Sequence, residues 1–375
     1  MFDTMTQEQQ MVQETLTALL DDAGLGDDGA VPFALWSELA NAGLLSLGVP
    51  EAHGGLGGTP ADLALIMRRL GAIPGETPYL ASAILGTALL TSLASDTQWQ
   101  ALAPGLLDGS VILAPAISEA HARYDWLHTR TSAARVTNGL VVSGEKTLVP
   151  SGAYATHFVV SARTSGTVAD SDGIVLLVVP ASADGVQVRP YISHDGSHDA
   201  DVCLTNVRIE PEWELAGGHR GTSEAIAAST DLAIALASSE AVGAMEELLS
   251  LTIDYLKLRK QFGVPIGSFQ SLQHAAVDMF VEVEQAKSMA GYAVGMLEAA
   301  PETRSAALLG SKSHLNVAAR FVGETAVQLH GAIGMTMESK AGRLFQRLTR
   351  FQLRYGDRNH CLATLATTGL SLLEN

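Results

Sequence analysis

Charge is what this chain has least of. Only 17% of its 375 residues are Asp, Glu, Lys or Arg, against roughly 25% in an average soluble domain, and 23 basic residues face 40 acidic ones for a net charge of −17. A basic footprint is missing, and with it the electrostatic basis for binding nucleic acid or an anionic membrane surface. With 47% hydrophobic residues, so few charges cannot cover a monomer's surface, which predicts association with other chains. Cysteine is scarce too. Cys203 and Cys361 are too few for a disulfide framework and lack metal-ligand spacing, so two reduced thiols in a cytoplasmic protein are expected. The longest uncharged run, Thr77 to Ser95, is broken by Pro78, Gly86 and several Ser and Thr residues, which argues against a membrane span. No basic segment followed by an apolar one opens the chain.

Motifs are absent as well. Without GxGxxG, a P-loop, GxSxG or HExxH, a Rossmann dehydrogenase, a nucleotide hydrolase, an α/β-hydrolase and a zincin lose their main warrant. His194 and His198 could in principle hold a metal with Asp195 or Asp199, although polar loops between strands commonly have this composition.

What is present changes character twice, predicting an α+β chain of three domains over 1–110, 111–215 and 216–375. The first is helical. Thr6 with Gln9 forms a capping box ahead of Met11, Val12, Leu16, Leu19 and Leu20, and Thr59-Pro60 supplies an N-cap and an N1 proline. The middle reads as short strands: Leu140 to Ser143 after Asn138-Gly139, His157 to Arg163, Ile174 to Pro180, Val186 to Tyr191, and Val202 to Ile209. The last part predicts long helices near 222–258, 268–298, 302–332 and 341–373, with apolar faces that build a bundle and leave surplus for other subunits.

Two constellations carry chemistry. In Arg259-Lys-Gln-Phe-Gly-Val-Pro-Ile-Gly-Ser-Phe-Gln270 a helix ends in Arg259 to Phe262, turns at Gly263 to Gly267, and the next begins with Phe269 and Gln270. A guanidinium, amides and two aromatics at one corner suit a diphosphate and an adenine. A packed helical corner with an exposed arginine has the same sequence. In Gln328-Leu-His-Gly-Ala-Ile-Gly334, small residues allow backbone N–H groups to approach phosphate, and they equally make a glycine-terminated helix end. Arg343, Arg347, Arg350 and Arg354 share one helix face, open either to an acidic partner or CoA phosphates, or solvated and paired with the chain's own acids.

Taken with Leu47-Gly-Val-Pro-Glu-Ala-His-Gly-Gly-Leu-Gly-Gly58 and Trp99 to Ser110, these segments resemble the hallmarks of the acyl-CoA dehydrogenases, in that family's order and across essentially the whole chain. The resemblance implies an N-terminal helical domain, a middle β-barrel-like domain and a C-terminal four-helix bundle that assembles subunits. It implies FAD, whose adenosine diphosphate half would be gripped, for a neighbouring subunit, by Arg259, Gln261, Phe262, Phe269, Gln270, Gln328, Gly331 and Ala332. It also implies dehydrogenation of an acyl-CoA to the trans-2-enoyl-CoA, with electrons passed to an electron-transfer flavoprotein.

The chain departs from the family where the chemistry is done. Tyr355 and Ala233 occupy the two positions at which the family places its catalytic Glu, and Ile234 stands for a usual Arg. A tyrosine with a pKa of about 10 is only about 0.1% ionised at neutral pH, whereas a positioned base is worth roughly 10²–10⁴-fold. Ile117-Ser-Glu-Ala-His lacks the usual Gly-Ser pair, and Gly144-Glu-Lys-Thr-Leu-Val-Pro150 has Leu148 for the flavin-covering Trp and Pro150 for Thr. A decayed site beside an intact cofactor grip resembles the non-catalytic subunit of α2β2 heterotetramers acting on steroid side-chain CoA thioesters. Glu240 is an alternative base two helical turns beyond Ala233. Two rival functions are a flavin monooxygenase on the same fold and a flavin-free structural subunit.

Overall fold

The computed structural model describes residues 5–22, 33–215, 221–336 and 339–373. Five helices come first: α1 (Gln7–Asp22), α2 (Phe33–Asn41), α3 (Pro60–Gly71), α4 (Thr87–Leu93) and α5 (Asp96–Asp108). The capping box at Thr6 forms as expected, with Gln9 N donating to Thr6 Oγ1 at 3.1 Å and Thr6 N to Gln9 Oε1 at 3.2 Å. Thr59 and Asp62 make a second such box at α3, behind Pro60. The uncharged run after Thr77 is no membrane span. Its Tyr79–Gly86 portion is a π-helical stretch in which every residue is buried.

The middle part is one eight-stranded sheet: β1 (Leu113–Ala116), β2 (Ser132–Val136), β3 (Gly139–Val149), β4 (His157–Arg163), β5 (Ile174–Pro180), β6 (Val186–Ile192), β7 (His198–Ile209) and β8 (Glu214–Leu215). Its order is β6-β7-β3-β2-β4-β5-β8, with β1 parallel to β4. Strands β4 and β5 match the sequence reading; β3 and β7 run longer, and β1 and β2 are additional. Register shifts between Val142 and Gly144 and between Lys146 and Val149 bend β3 against β7. The second lets Lys146 point inward while Leu148, at φ 53°, turns outward.

The chain then returns to helices: α6 (Thr222–Leu258), a two-stranded hairpin of β9 (Lys260–Gln261) and β10 (Val264–Pro265), α7 (Gln270–Gly295), α8 (Pro301–His330), α9 (Lys340–Leu353) and α10 (Arg358–Leu373). Two sequence expectations are corrected here. Arg259 to Phe262 do not continue a helix, because α6 stops at Leu258 and a hairpin follows. The single helix over 341–373 is two, broken where Tyr355 (φ 61°) and Gly356 (φ 126°) take left-handed backbone that an α-helix cannot include. Helix α6 is long and apolar enough to cross a membrane by composition alone, yet 67% of its most apolar window is buried inside the fold, as befits the central helix of a bundle.

One core joins the first and last parts. Leu35, Ile66 and Met67 pack with Leu236, Leu248, Leu315 and Leu344. Helices α3 and α6 touch backbone to backbone: a Cβ on Gly71 would stand 1.9 Å from the Glu240 carbonyl oxygen, and one on Gly243 would stand 1.7 Å from that of Arg68. Only glycine permits that approach, which holds the α6 segment carrying Ala233 and Glu240 against the N-terminal helices.

Candidate functional site

A cavity of about 420 Å³ opens where the three parts meet. Leu85 comes from the N-terminal helices, Pro115, Ile117, Ser118, Leu148 and Pro150 from the sheet, and Ala233, Arg354 and Tyr355 from the bundle. Positions far apart in sequence, singled out because their side chains depart from the family's pattern, thus face one space. Tyr355 sits in the turn between α9 and α10, its ring 6.0 Å from that of Trp126. The Arg354 guanidinium stands over the Tyr355 ring, 4.9 Å from its centroid. Burial pushes the Tyr355 hydroxyl above its ordinary pKa, although Arg354 and Arg350 oppose that rise. A phenol so placed is ionised even less at neutral pH than a free one. Ala233 is buried and has no group to titrate.

Among the described residues one carboxylate lines this cavity, Asp199. Its Oδ2 accepts from Arg350 Nη2 at 2.7 Å and from Ser193 Oγ at 2.6 Å. Glu240 does not line it. That carboxylate lies on smaller clefts behind, accepting from Arg347 Nη2 at 2.7 Å, with Arg354 Nη1 3.8 Å away. The relocated base is therefore not supported by position.

Three of the four arginines on that face, Arg347, Arg350 and Arg354, are drawn into an ionic cluster with the chain's own acids. Arg347 donates to the Leu70 carbonyl at 3.0 Å and to that of Ile73, closing off α3. Arg350 reaches Asp195 at 3.2 Å and Asp199 at 2.7 Å from the sheet, and Glu76 at 3.8 Å from the N-terminal part. Burial draws Arg350 down, yet Glu76, Asp195 and Asp199 together hold it above its usual value. Burial alone would raise Asp195, but Arg350 and Arg347 keep it below. The metal reading falls with this assignment. Asp195 and Asp199 serve arginine, His198 packs on Tyr154 with ring centroids 5.1 Å apart, and no group of three metal-ligating side chains occurs among the described residues.

A second buried pair shapes the sheet wall. Lys146 Nζ, fully buried, donates to Glu119 Oε1 at 2.7 Å, Ser161 Oγ at 2.9 Å and the Ile117 carbonyl at 3.2 Å. Glu119 in turn accepts from the N–H groups of Arg130 and Thr131 at 2.9 and 3.0 Å. Burial lowers Lys146 to about 8, against the pull of Glu119. The pair fixes the backbone of Ile117 and Ser118 at the cavity wall, a role that reading the sequence missed. The two residues are 27 apart with nothing local to connect them.

The other constellation lies on the far end of the bundle. Lys260 pairs with Pro265 and Gln261 with Val264, leaving Phe262 (φ 53°) and Gly263 (φ 82°) as the hairpin's two-residue loop. Phe262 is 91% exposed, its ring 6.1 Å from Phe269 in an edge-on arrangement. Holding a bulky residue in left-handed backbone costs about 1–2 kcal/mol. Within this chain that cost is met by the hairpin pairing that closes the turn and by the contact with Phe269. Phe269 is the N-cap of α7 and makes no side-chain cap, which leaves N–H groups at the start of a 26-residue helix free for an anion. Helix α8 ends at His330, stacked on Tyr255 of α6 at 4.7 Å, which brings Gln328, Gly331 and Ala332 to the same end of the bundle as Arg259, Gln261 and Gln270. Gly331 (φ 66°, ψ −145°) adopts backbone that other residues avoid, in open space. All eight side chains or turns are exposed. A guanidinium, three amides, two aromatic faces and unengaged N–H groups match the donors and walls that a dinucleotide's diphosphate and adenine require.

The chain matches three family models in order: the acyl-CoA dehydrogenase N-terminal domain over residues 6–110, the middle domain over 114–210 and the C-terminal domain over 221–368. It belongs to the acyl-CoA dehydrogenase family, whose members bind FAD. It is 28% identical to "Probable acyl-CoA dehydrogenase YngJ" of Bacillus subtilis over 354 residues, 91% of this chain and 92% of that one. A solved variant of the Tcur3481-Tcur3483 steroid ACAD superposes with a TM-score of 0.85 at 25% identity, covering 98% of this chain and 99% of that one. The ChsE4-ChsE5 complex from Mycobacterium tuberculosis superposes with a TM-score of 0.86 over 100% of both chains, and at 22% identity shows the fold alone.

Proposed function

We propose that this chain is the non-catalytic subunit of a cytoplasmic, heteromeric FAD-dependent acyl-CoA dehydrogenase, and that it completes the FAD site of a catalytic partner. One observation carries the reading: both positions for the family's base face a single cavity and hold Tyr355 and Ala233, while Asp199, the one carboxylate lining it among the described residues, is engaged by Arg350 and Ser193. A chain built this way would lack the carboxylate base that removes an α-proton. Arg259, Gln261, Phe262, Phe269, Gln270, Gln328, Gly331 and Ala332 would hold the adenosine diphosphate half of the cofactor, which when bound supplies hydride acceptance. Arg259 would meet the diphosphate with a charged fork, the small residues Gly331 and Ala332 would let it approach the turn closely, and the two phenylalanines would wall the adenine.

The exposed aliphatic and aromatic side chains of the bundle support an assembly. Val277, Phe280 and Val281 on α7 and Val317 and Phe321 on α8 are 38–57% exposed at helical spacing, more apolar surface than a monomer retains without a partner. Likeness to a steroid ACAD complex supports a steroid-derived CoA thioester as the substrate of the assembly, and the partner would set that specificity and pass electrons to an electron-transfer flavoprotein.

The test is expression of the chain alone and with the product of its neighbouring gene. Alone it should carry little FAD by absorbance at 450 nm and turn over neither butyryl-CoA, palmitoyl-CoA nor a steroid side-chain CoA. Co-expression should give a yellow complex of higher native mass. FAD-dependent turnover by the chain alone would sink the proposal.

A further inference from the structure

We propose that the ionic cluster where the three domains meet holds one proton at neutral pH, seated on Glu76, and that losing it at higher pH frees the Glu76 segment from α9, so that the cluster is a proton-operated catch between domains. Among the described ion pairs, four carboxylates (Glu76, Asp195, Asp199, Glu240) meet three guanidiniums (Arg347, Arg350, Arg354), so with every group charged the cluster would carry 3 − 4 = −1. Little water is at hand to spread that charge. The seven side chains are 2% to 17% exposed, and the two clefts among them, of about 10 and 20 Å³, have room for about one water molecule each. An uncompensated ion in such surroundings is costly, and a carboxyl group avoids the cost by keeping its proton.

Geometry singles out the carboxyl that keeps it. Asp199 accepts from Arg350 at 2.7 Å and Ser193 at 2.6 Å, Asp195 from Arg350 and from the Ser197 N–H, both at 3.2 Å, and Glu240 from Arg347 at 2.7 Å. Glu76 is held less well. Its Oε1 stays 3.8 Å from Arg350 Nη1, too far for a hydrogen bond, and its Oε2 is buried without a partner. Around it stand Arg350 and Arg354 from α9 and the turn after it, Arg347 and Glu240 across the clefts, Asp195 and Asp199 from the sheet, and the Tyr79 and Tyr154 phenols, both raised by burial, with His198 packed on Tyr154. Burial lifts Glu76 above the usual carboxylate range, and Asp199 and Asp195 lift it further, against the pull of Arg350 and Arg354. The proton belongs to the cluster as a whole, and Glu76 is its least engaged seat. Glu76 lies between α3 and the π-helical stretch that carries Leu85 to the cavity, and Arg350 and Arg354 line that same cavity, so the catch ties the N-terminal helices to a wall of the site.

In the unfolded chain Glu76 ionises near pH 4.3, while in the folded chain it keeps its proton, so above that pH each unit of rise favours unfolding through this group by up to about tenfold, until the folded carboxyl ionises too. Glu76→Gln copies the protonated carboxyl and removes the dependence. In urea melts of the full chain, the unfolding constant of the wild type should rise at least about tenfold relative to that of Glu76→Gln between about pH 5 and pH 7.5, a comparison in which the opposite dependence of Lys312 cancels. Backbone hydrogen exchange over residues 72–80, corrected for its intrinsic pH dependence, should quicken with pH in the wild type and not in the variant. Infrared spectra of the folded wild type at neutral pH should show the carbonyl band of a protonated carboxyl group, diminished in Glu76→Gln. Glu240→Gln leaves three carboxylates for three guanidiniums and should diminish the band as well. A stability ratio that stays flat or falls, equal exchange in the two proteins, a wild-type spectrum without the band, or a band that either variant leaves unchanged would overturn the proposal.

Discussion

Arg259→Ala separates a cofactor grip from a packed helical corner, because the two give opposite results for the same substitution. Arg259 follows the last turn of α6 in extended backbone, its N–H donating to the Tyr255 carbonyl at 2.8 Å and its own carbonyl accepting from Ile266 at 2.8 Å, while the side chain is exposed. Neither backbone bond needs the guanidinium. Stability should therefore change by less than about 0.5 kcal/mol. A charged fork on a diphosphate contributes about 1.5–3 kcal/mol, which converts to a ten- to hundredfold loss of flavin affinity. Arg259→Lys, which keeps the charge and loses the fork, should fall between. The assay is a flavin titration of the assembled complex followed at 450 nm, with thermal melts of the free chain alongside. Unchanged flavin affinity with unchanged stability would refute the cofactor assignment, and a loss of several degrees in the free chain would mean that Arg259 is structural.

Phe262→Asn should raise the stability of the free chain by about 1 kcal/mol, since Asn accepts left-handed backbone that Phe resists, while lowering flavin affinity in the complex; thermal melts and the same titration check both signs. Gly243→Ala should destabilise by about 1–3 kcal/mol in a denaturant melt, because its methyl would meet the Arg68 carbonyl at 1.7 Å and force α3 from α6. Lys312, buried beneath the turn carrying Tyr355, bonds the Phe351 carbonyl at 2.7 Å, and burial lowers it to about 7 despite nearby Cys361 and Asp357. Its folded pKa lies below the unfolded value of about 10.4, so between those limits the unfolded chain holds a proton that the folded one lacks, and raising pH favours folding by up to about 1.4 kcal/mol per unit. Urea melts from pH 7 to 9 should show that rise in the wild type and a flatter profile in Lys312→Met.

Much of this architecture could be read from residue order, and the exceptions have physical causes. His157–Arg163 and Ile174–Pro180 are β-branched runs between turn formers, and they are strands as read. Leu113–Ala116 shows no alternation because all four residues are buried, and Pro115 further disguises it. The break between α9 and α10 was hidden because Tyr355 and Gly356 look tolerable in a helix; only their positive φ values reveal the turn. The hairpin after α6 was hidden for the same reason at Phe262. Substitutions at the cavity were legible by comparison with the family pattern, position by position. Their convergence was not, since it depends on how the sheet carries Leu148 and the bundle carries Ala233 and Tyr355 to one place. The arginine face was visible as a period of three and four, but its partners lie more than a hundred residues away in sequence.

That buried cluster has a consequence for dividing the molecule. Glu76, Asp195, Asp199 and Glu240 lie in three different parts of the chain, and the arginines that neutralise them all sit on α9 or just after it. A fragment lacking residues beyond 340 would have to bury acids with no counter-charge, and a fragment made only of the bundle would have to bury guanidiniums with Glu240 alone to answer them. Synthesis proceeds from the N-terminus, so the helices and sheet that emerge first remain electrostatically unfinished until α9 arrives. The three parts are thus units of shape but not of autonomous folding, and the chain should melt in one transition, not three.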